Sequence, residues 1–208
     1  MKYWNKYLLP STVDEALSCL HDASGIARVI SGGTDLLLDI RQGRLPGVDT
    51  LVDVTRIPEM REMQSYPSGL YLGGAVTHRE IISNSLLQLQ AACLVQACSL
   101  IGGPQVRNVA TIGGNAAYAL PAGDGTIALL ALDAEVEIAS PLGRRWVRVE
   151  DLFLGPGEVV FNRAEEILVQ FRIPGLRDGE KSLFKRIMRP QGVAIAILNM
   201  AGWMRVSD

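Results

Sequence analysis

Apolar residues recur at helical spacing soon after the start of the chain, at Val13, Ala16, Leu17 and Leu20. Thr12 precedes this series and Glu15 follows Thr12 by three positions, a pattern in which the side chains cap the first turn of a helix. Such a ladder places its apolar side chains on one face. The pattern predicts an amphipathic helix from residue 13.

The next segment changes from strand-like to helical sequence across a pair of glycines. Residues 27–30 form a short strand-like segment, and Ser31-Gly32-Gly33-Thr34 interrupts it. Leu36, Leu37 and Ile40 then share one helical face, which ends at Gly43. The order predicts a strand, a glycine turn and a helix. Two more short strands are predicted at 51–54 and 69–76.

A second Thr-x-x-Glu pattern, from Thr77 to Glu80, predicts the start of another helix. The apolar-rich residues 86–101 continue as helix until Gly102-Gly103-Pro104. We then expect a short strand at 109–112, broken by Gly113-Gly114-Asn115. A short buried helix is predicted at 126–132, behind Asp124.

The character of the sequence changes from Ala134 onward. Strands are predicted at 135–138 and 146–149, paired across a turn at 141–143, and again at 166–173, 182–188 and 193–206. Residues 177–181 read as a charged connector. Helices followed by a run of strands predict an α+β fold.

The composition limits the class of protein. The chain has 208 residues, a formal charge of −2, 48% apolar and 20% charged residues, which excludes a disordered tail and argues against nucleic-acid binding. The longest apolar run, 193–198, is too short to span a bilayer, and residues 1–11 lack the apolar core of a signal peptide. We therefore expect a cytoplasmic protein with no membrane span. Three cysteines without a CxxC pattern indicate neither disulfides nor a thiolate metal site.

The first glycine turn could bind an anion. Successive backbone N–H groups without side chains, across residues 31–34, form a concavity suited to phosphate or pyrophosphate. The alternative is a plain strand-to-helix turn in which glycine supplies a positive φ.

The segment from Asn108 to Asn115 contains a second glycine pair that could bind a ligand. Paired glycines let main chain approach a flat ligand, Thr111 and Asn115 can bond phosphate or ring edges, and Asp124 could accept a bond from a ribose or ribityl hydroxyl. Alternatively, Asp124 caps the following helix and Thr111 fills a strand. Two such segments in one chain favour an extended phosphorylated cofactor.

Other patterns are better explained without a site. The Gly123-x-Gly125-x-x-Ala128 spacing lacks the preceding strand of a dinucleotide fingerprint, and no Walker A pattern occurs. His21 at a helix end and His78 at a helix start are assigned structural roles. The Arg144-Arg145-Trp146-Val147-Arg148 cluster is predicted to form cross-strand ion pairs rather than a nucleic-acid surface. The acidic residues beside it are Glu135, Glu137, Glu150 and Asp151. Lys185 could neutralise a flavin or phosphate oxygen, or remain a solvated strand lysine.

In their combination and order, these motifs resemble the FAD-binding subunit of the molybdenum hydroxylase (xanthine dehydrogenase) family. The resemblance covers nearly the whole chain. It rests on Tyr7, Pro10, Ser11 and Glu15, on Ser31-Gly32-Gly33-Thr34-Asp35, on Gln105-Val106-Arg107-Asn108, on Thr111-Ile112-Gly113-Gly114-Asn115, and on Asp124 with Leu132-Asp133-Ala134. It implies a vanillyl-alcohol-oxidase (PCMH-type) FAD-binding fold of two subdomains.

The resemblance also implies which residues hold FAD. The first glycine turn would wrap the pyrophosphate, and the second segment would meet the diphosphate and the flavin. The implied contacts are Val29, Ile30, Ser31, Gly32, Gly33, Thr34, Asp35, Leu36, Ile101, Ala110, Thr111, Ile112, Gly113, Gly114, Asn115, Asp124, Leu168 and Lys185. It implies no catalytic side chain and no metal ligand in this chain.

The implied role is electron transfer in a complex. In this family a molybdopterin-binding large subunit hydroxylates the substrate and a small subunit carries [2Fe-2S] clusters. FAD in the present type of subunit passes electrons from these clusters to NAD or another acceptor. Molybdopterin and [2Fe-2S] are thus expected in partner subunits. The iron–sulfur loop of the hydroxybenzoyl-CoA reductase branch is absent.

Two alternatives stay open. One is a self-contained FAD-dependent oxidase or dehydrogenase of the same fold, which often has a flavin-linking histidine or cysteine and a substrate domain; neither is visible here. The other is a non-catalytic assembly protein derived from this fold, against which the intact motifs argue.

The resemblance finally implies a division of the chain. A PCMH-type FAD-binding domain would occupy 1–176, with subdomains at about 1–56 and 57–176. Residues 177–208 would begin a C-terminal α+β domain that is incomplete. We therefore expect 193–206 to be an apolar strand that lacks much of its sheet.

Overall fold

The computed structural model describes residues 3–177, 179–189 and 195–205. The helices in these ranges are α1 (Val13–His21), α2 (Leu36–Arg41), α3 (His78–Ser83), α4 (Ser85–Gln90), α5 (Ala92–Leu100), α6 (Pro104–Arg107), α7 (Ile112–Tyr118) and α8 (Asp124–Ala131). The strands are β1 (Lys6–Leu8), β2 (Ile26–Ile30), β3 (Val48–Asp53), β4 (Met63–Tyr66), β5 (Gly69–Gly73), β6 (Glu135–Ser140), β7 (Gly143–Arg148), β8 (Phe153–Gly155), β9 (Glu158–Val159), β10 (Ile167–Ile173), β11 (Glu180–Ile187) and β12 (Leu198–Arg205).

The strands form two main sheets. Strands β1, β3 and β2 make a parallel sheet in that order. Strands β4, β5, β10, β6 and β7 make an antiparallel sheet in that order, and β8–β9 and β11–β12 are separate hairpins. The predicted mixture of helices and strands is confirmed.

Helix α1 packs between the two main sheets. Its buried side chains share one hydrophobic cluster with Val52 of the parallel sheet and with Ala139, Ile167 and Val169 of the antiparallel sheet. A larger cluster lies between the antiparallel sheet and helices α3, α4, α5, α7 and α8. Full burial of a Val, Leu, Ile, Phe or Met side chain contributes about 1.5–3 kcal/mol to the free energy of folding. The sheets are therefore joined by shared core.

The two predicted helix caps are present, with one difference. Thr77 and Glu80 form the complete reciprocal box. Thr12 accepts the backbone N–H of Glu15, but the Glu15 carboxylate accepts from the N–H and hydroxyl of Ser11 instead of returning to Thr12. The buried side of α1 consists of the four predicted residues.

The prediction of a strand at 109–112 broken by glycines is wrong. Thr111 instead caps α7, whose first turn contains Gly113 and Gly114, and a single bridge from Thr111 to Thr77 replaces the strand. A Cβ on Gly113 would lie 2.5 Å from the Gly74 carbonyl oxygen. The glycines permit close helix-to-backbone packing here and do not break a strand.

Two other predicted elements differ in extent. The helix predicted over 86–101 is divided at Ala91, whose φ of −143° is not helical, into α4 and α5. Of the strand predicted over 193–206, residues 198–205 form β12, whereas residues 195–197 are described but not in a strand. Residues 193, 194 and 206 of that prediction lie outside the described residues.

The arginines of β7 form the predicted ion pairs. Arg144 pairs with Glu59 and Glu137, Arg145 with Glu166, and Arg148 with Asp133 and Glu150. Glu137 and Glu150 were expected as partners, whereas Glu59, Asp133 and Glu166 were not. The charges of these three arginines are therefore paired with carboxylates of the same chain.

Candidate functional site

The first glycine turn connects β2 to α2 and presents unpaired backbone donors. Gly33 has a φ of +67°, a left-handed conformation that glycine adopts without strain. Among the described residues, the backbone N–H groups of Gly32, Gly33, Thr34 and Asp35 have no hydrogen-bond acceptor. Consecutive free N–H groups of this kind form a concave site for an anion.

The Ser31 hydroxyl adds a further unused polar group. Its oxygen is buried and has no partner within the described part of the chain. Next to it, burial raises the pKa of the Asp35 carboxyl above its usual range, and Thr34 donates a hydrogen bond to that carboxyl.

Three consecutive N–H groups of the second glycine segment are satisfied inside the protein. The N–H of Ile112 bonds to the Val76 carbonyl, that of Gly113 to the Gly74 carbonyl, and that of Gly114 to the Thr111 hydroxyl. This segment therefore offers a ligand apolar and backbone surface rather than a row of free donors.

The two segments lie against each other. A Cβ on Gly32 would fall 2.2 Å from the carbonyl oxygen of Val109, so only glycine permits this approach. Tyr118, at the end of α7, donates a 2.9 Å hydrogen bond to Asp39 of α2. The first glycine turn thus packs beside the beginning of the second segment, and α2 is bonded to the end of α7.

Leu168 and Asp124 are connected to the second segment by short contacts. Leu168 is buried in β10, and its carbonyl oxygen would lie 2.7 Å from a Cβ on Gly74, the residue that packs on Gly113. Asn115 accepts hydrogen bonds from the N–H and hydroxyl of Thr126, two residues after Asp124. These predicted positions therefore adjoin one continuous region.

The remaining predicted positions are less closely joined. Ile101 is half-buried at the end of α5, where the Arg107 guanidinium donates to its carbonyl and to that of Gly102. Lys185 is exposed on β11, on the opposite face from Arg186. The structure does not bring the Lys185 side chain to Asp124.

Asp124 begins α8 and is almost fully buried, but it does not cap that helix by a side-chain bond. Its carboxylate accepts hydrogen bonds from Arg186 at 2.5 Å and Asn199 at 2.8 Å. Sequence reasoning missed both partners. Strand alternation offered a signal, because an inward Phe184 places residue 186, and not residue 185, on the inward face.

The histidines lie where predicted. His21 is in the last turn of α1, and His78 is the buried first residue of α3. Burial, with a further contribution from the Arg107 charge, lowers the pKa of His78 to about 4. Across the described ranges no cluster of histidine, cysteine or carboxylate side chains is suited to a metal, and no helix has the length and apolarity to cross a membrane.

Residues 2–176 match the family described as "FAD binding domain in molybdopterin dehydrogenase". This chain belongs to that family.

Relatives of the family are similar over most of this chain. The carbon monoxide dehydrogenase medium chain of Hydrogenophaga pseudoflava is 30% identical over 187 residues, which are 90% of this chain and 64% of that protein. The xanthine dehydrogenase FAD-binding subunit of Escherichia coli O157:H7 is 35% identical over 169 residues, 81% and 57% of the two chains. This chain thus spans less than two thirds of the length of either curated relative.

A solved structure shows the same fold. Carbon monoxide dehydrogenase from Hydrogenophaga pseudoflava, in a form lacking the Mo-pyranopterin moiety, superposes with a TM-score of 0.92 at 29% identity. The match covers 99% of this chain and 70% of that one.

FAD is the cofactor of this family of FAD-binding domains, and the residues present fit it. FAD contains a diphosphate whose oxygens accept hydrogen bonds, and the free N–H groups of residues 32–35 with the buried Ser31 hydroxyl are donors. The glycine-lined second segment suits a flat ring system, which needs close approach of backbone more than charge.

Proposed function

We propose that this chain binds FAD across the junction of its two glycine segments. The single observation that carries the proposal is the row of unpaired N–H groups at residues 32–35 beside the unpartnered, buried hydroxyl of Ser31. The buried Ser31 hydroxyl without a partner is destabilising, so a ligand that supplies an oxygen there gains free energy, and the neighbouring free N–H groups can bond to the same ligand. The diphosphate of FAD is placed on the first turn, as the family membership also supports.

The flavin end is assigned to the second segment and its neighbours. Of the residues assigned to this end, Ala110, Ile112 and Leu168 are buried and apolar, and Asp124 is a buried carboxylate. Ile101 is retained as a proposed contact. Lys185 is retained as a proposed contact, although its side chain is exposed on the outer face of β11. The resemblance supports this assignment residue by residue, and the contacts of Asn115 and Gly74 support it locally.

The proposed role is electron transfer in a molybdenum-containing hydroxylase or dehydrogenase complex. FAD, when bound, supplies hydride and single-electron chemistry. The chain itself binds the diphosphate, orients the ring and shields one side with the core around Ile112 and Leu168. Electrons are proposed to arrive from [2Fe-2S] clusters of a small subunit, beside a molybdopterin large subunit, and to leave to NAD or another acceptor in the cytoplasm. The names "medium chain" and "FAD-binding subunit" of the relatives support such a complex.

We further propose the domain division that the resemblance implies. A PCMH-type FAD-binding domain would cover 1–176, with subdomains at about 1–56 and 57–176, and 177–208 would begin an α+β unit. The family match ends at residue 176. The outer face of the β11–β12 hairpin exposes Leu183, Ile187, Met200 and Met204, which supports assigning the hairpin to this second unit, while Phe184 on its inner face packs in the core of the FAD-binding domain.

The test begins with the flavin itself. The full chain, incubated with FAD and gel-filtered, should be yellow and release FAD rather than FMN on denaturation. FMN lacks the adenosine half and the second phosphate, so we expect it to bind at least about tenfold more weakly. A colourless chain that cannot be loaded with FAD would overturn the proposal.

A matched pair of variants locates the site. Gly33→Ala and Gly43→Ala each force a side chain into a left-handed conformation, at φ of +67° and +72°, at the two ends of α2. The strained backbone should lower the free energy of unfolding of each by about 1 kcal/mol. Gly33→Ala should lose somewhat more, because its added carbon would lie 3.0 Å from Ile30 Cδ1, whereas no atom lies within 4 Å of that of Gly43→Ala. We expect FAD affinity to fall in Gly33→Ala and to stay at the wild-type value in Gly43→Ala, as measured by flavin fluorescence titration. Equal losses would move the diphosphate away from the first turn.

Bleaching experiments address electron flow. If the role is transfer within a complex, substrate should bleach the flavin only when the molybdenum and iron–sulfur subunits are added. Bleaching of the isolated chain by a small substrate would instead establish a self-contained oxidoreductase.

A further inference from the structure

The inward face of the β11–β12 hairpin carries polar groups to the start of α8. Arg186 and Asn199 are directly opposite in the hairpin register, so their side chains lie on the same face. Phe184 on that face is buried in the main core, and its N–H donates to the side chain of Gln96 in α5. The hairpin is thus seated firmly enough to fix the position of both side chains.

Both carboxylate oxygens of Asp124 are held by this cross-strand pair. Arg186 Nη1 lies 2.5 Å from Asp124 Oδ2, and Asn199 Nδ2 lies 2.8 Å from Oδ1. The side chains of Arg186 and Asp124 are only 6% and 4% exposed. A charge that is buried to this degree needs a fixed partner, and a hydrogen-bonded guanidinium provides both charge and direction.

Arg186 also has a donor that the protein does not use. Its Nε is buried and lacks an acceptor within the described residues. A folded protein leaves few buried N–H groups without a partner, so a ligand oxygen is the expected acceptor.

This corner adjoins the second glycine segment. The Asn115 side chain accepts the N–H of Thr126, and its Oδ1 would lie 2.8 Å from a Cβ on Gly125. Gly125, the residue after Asp124, therefore lies directly against Asn115 of that segment.

We propose that Arg186, with Asn199, is a positioning residue of the cofactor site, which fixes the Asp124 carboxylate toward bound FAD and directs its free Nε–H at the same ligand. The inference rests on the proposed function, since it assigns FAD as the ligand. It makes strands β11 and β12 part of the machinery that retains the flavin.

The test is a double-mutant cycle on the full chain. Arg186→Met, Asp124→Asn and the double variant are titrated with FAD by fluorescence quenching, and unfolded in urea without FAD. Arg186→Met should weaken FAD binding about 10- to 100-fold, the change expected for a lost hydrogen bond to a charged group. The two single effects should be less than additive in the double variant, because Arg186 acts in part through Asp124, and the loss beyond that of Asp124→Asn alone measures the bond from Arg186 Nε–H to the ligand.

Conservative and control variants separate positioning from folding. Arg186→Lys retains the charge but not the planar pair of donors. Compared with Arg186→Met, it should therefore recover more of the stability than of the FAD affinity. Asn199→Ala removes one bond without unpairing a charge, which provides a mild variant if Arg186→Met does not fold. Lys181→Met changes an exposed cation of the same strand and should leave FAD affinity unchanged.

The outcomes are distinguishable. Weaker FAD binding by Arg186→Lys and Asn199→Ala, at urea midpoints close to the wild type, supports the inference. Wild-type FAD affinity in both of these variants, with only stability reduced, overturns the inference and leaves the proposed function intact. A wild-type chain that binds no FAD overturns the proposed function and this inference with it.

Discussion

The two glycine segments look alike in sequence and differ in what their backbone does. At residues 32–35 the N–H groups are free, whereas at Ile112, Gly113 and Gly114 they bond within the protein. Glycine in the first segment supplies a left-handed turn and exposes donors. Glycine in the second removes side chains so that α7 can pack on Gly74. A glycine pair therefore indicates where backbone must come close, but not whether a ligand or another part of the chain is its neighbour.

The difference predicts that changes around the second segment act mainly on stability. The largest effect should come from His78, whose N–H bonds to the Ala110 carbonyl. Its imidazole takes up a proton near pH 6.5 in the unfolded chain and near pH 4 in the folded protein, so stability is present above pH 6.5 and declines as the pH falls toward 4. His78→Leu should remove about 3 kcal/mol of this decline.

The measurement is the urea midpoint of wild type and His78→Leu between pH 7 and pH 4. His21→Leu controls for the loss of an exposed histidine. If His78→Leu and wild type lose stability in parallel, the buried imidazole does not contribute to acid sensitivity.

The next largest effect is expected at Gly113. Gly113→Ala would press a methyl group against the Gly74 carbonyl, and neither backbone can move easily, so the free energy of unfolding should fall by about 2 kcal/mol. Gly202→Ala, where no atom lies within 4 Å of the added carbon, is the control. Denaturant unfolding of the FAD-free chain checks both, and an unaffected Gly113→Ala would contradict the packing role of this glycine.

The smallest effect, and the one most specific to the first segment, is expected at Ser31. Ser31→Ala removes a buried hydroxyl without a partner, so the FAD-free chain should be as stable as wild type or slightly more stable. FAD binding should weaken by about tenfold because one hydrogen bond to the ligand is lost. Ser18→Ala on the exposed side of α1 is the control for both measurements. If Ser31→Ala were destabilised and bound FAD as tightly as wild type, the Ser31 hydroxyl would serve packing within the protein and would not bind the ligand.

Much of the fold follows from local signals in the sequence. The Thr-x-x-Glu patterns and the spacing of Val13, Ala16, Leu17 and Leu20 act within one helix, and they located α1 and α3 correctly. The hairpin of β6 and β7 was equally local, since its turn and alternation lie within 14 residues.

What could not be predicted depends on distant neighbours. Gly113 was expected to break a strand because its contact with Gly74, 39 residues away, cannot be read from either segment alone. Arg186 was missed as the partner of Asp124 because 62 residues separate them. Ion pairing by the arginines of β7 was predicted, but two of the partners, Glu59 and Glu166, were not. These residues are distant in sequence and reach β7 only in the folded protein.

The placement of α1 also sets an order of events while the chain is being made. Helix α1 and the parallel sheet lie within the first 53 residues, yet the apolar face of α1 is covered in part by Ala139, Ile167 and Val169. Until β10 has emerged from the ribosome, part of that face stays exposed to water, and α1 lacks the packing that β6 and β10 supply. We expect the first glycine turn to reach its native form only then, so that cofactor loading follows synthesis of the antiparallel sheet and does not accompany that of the N-terminal part.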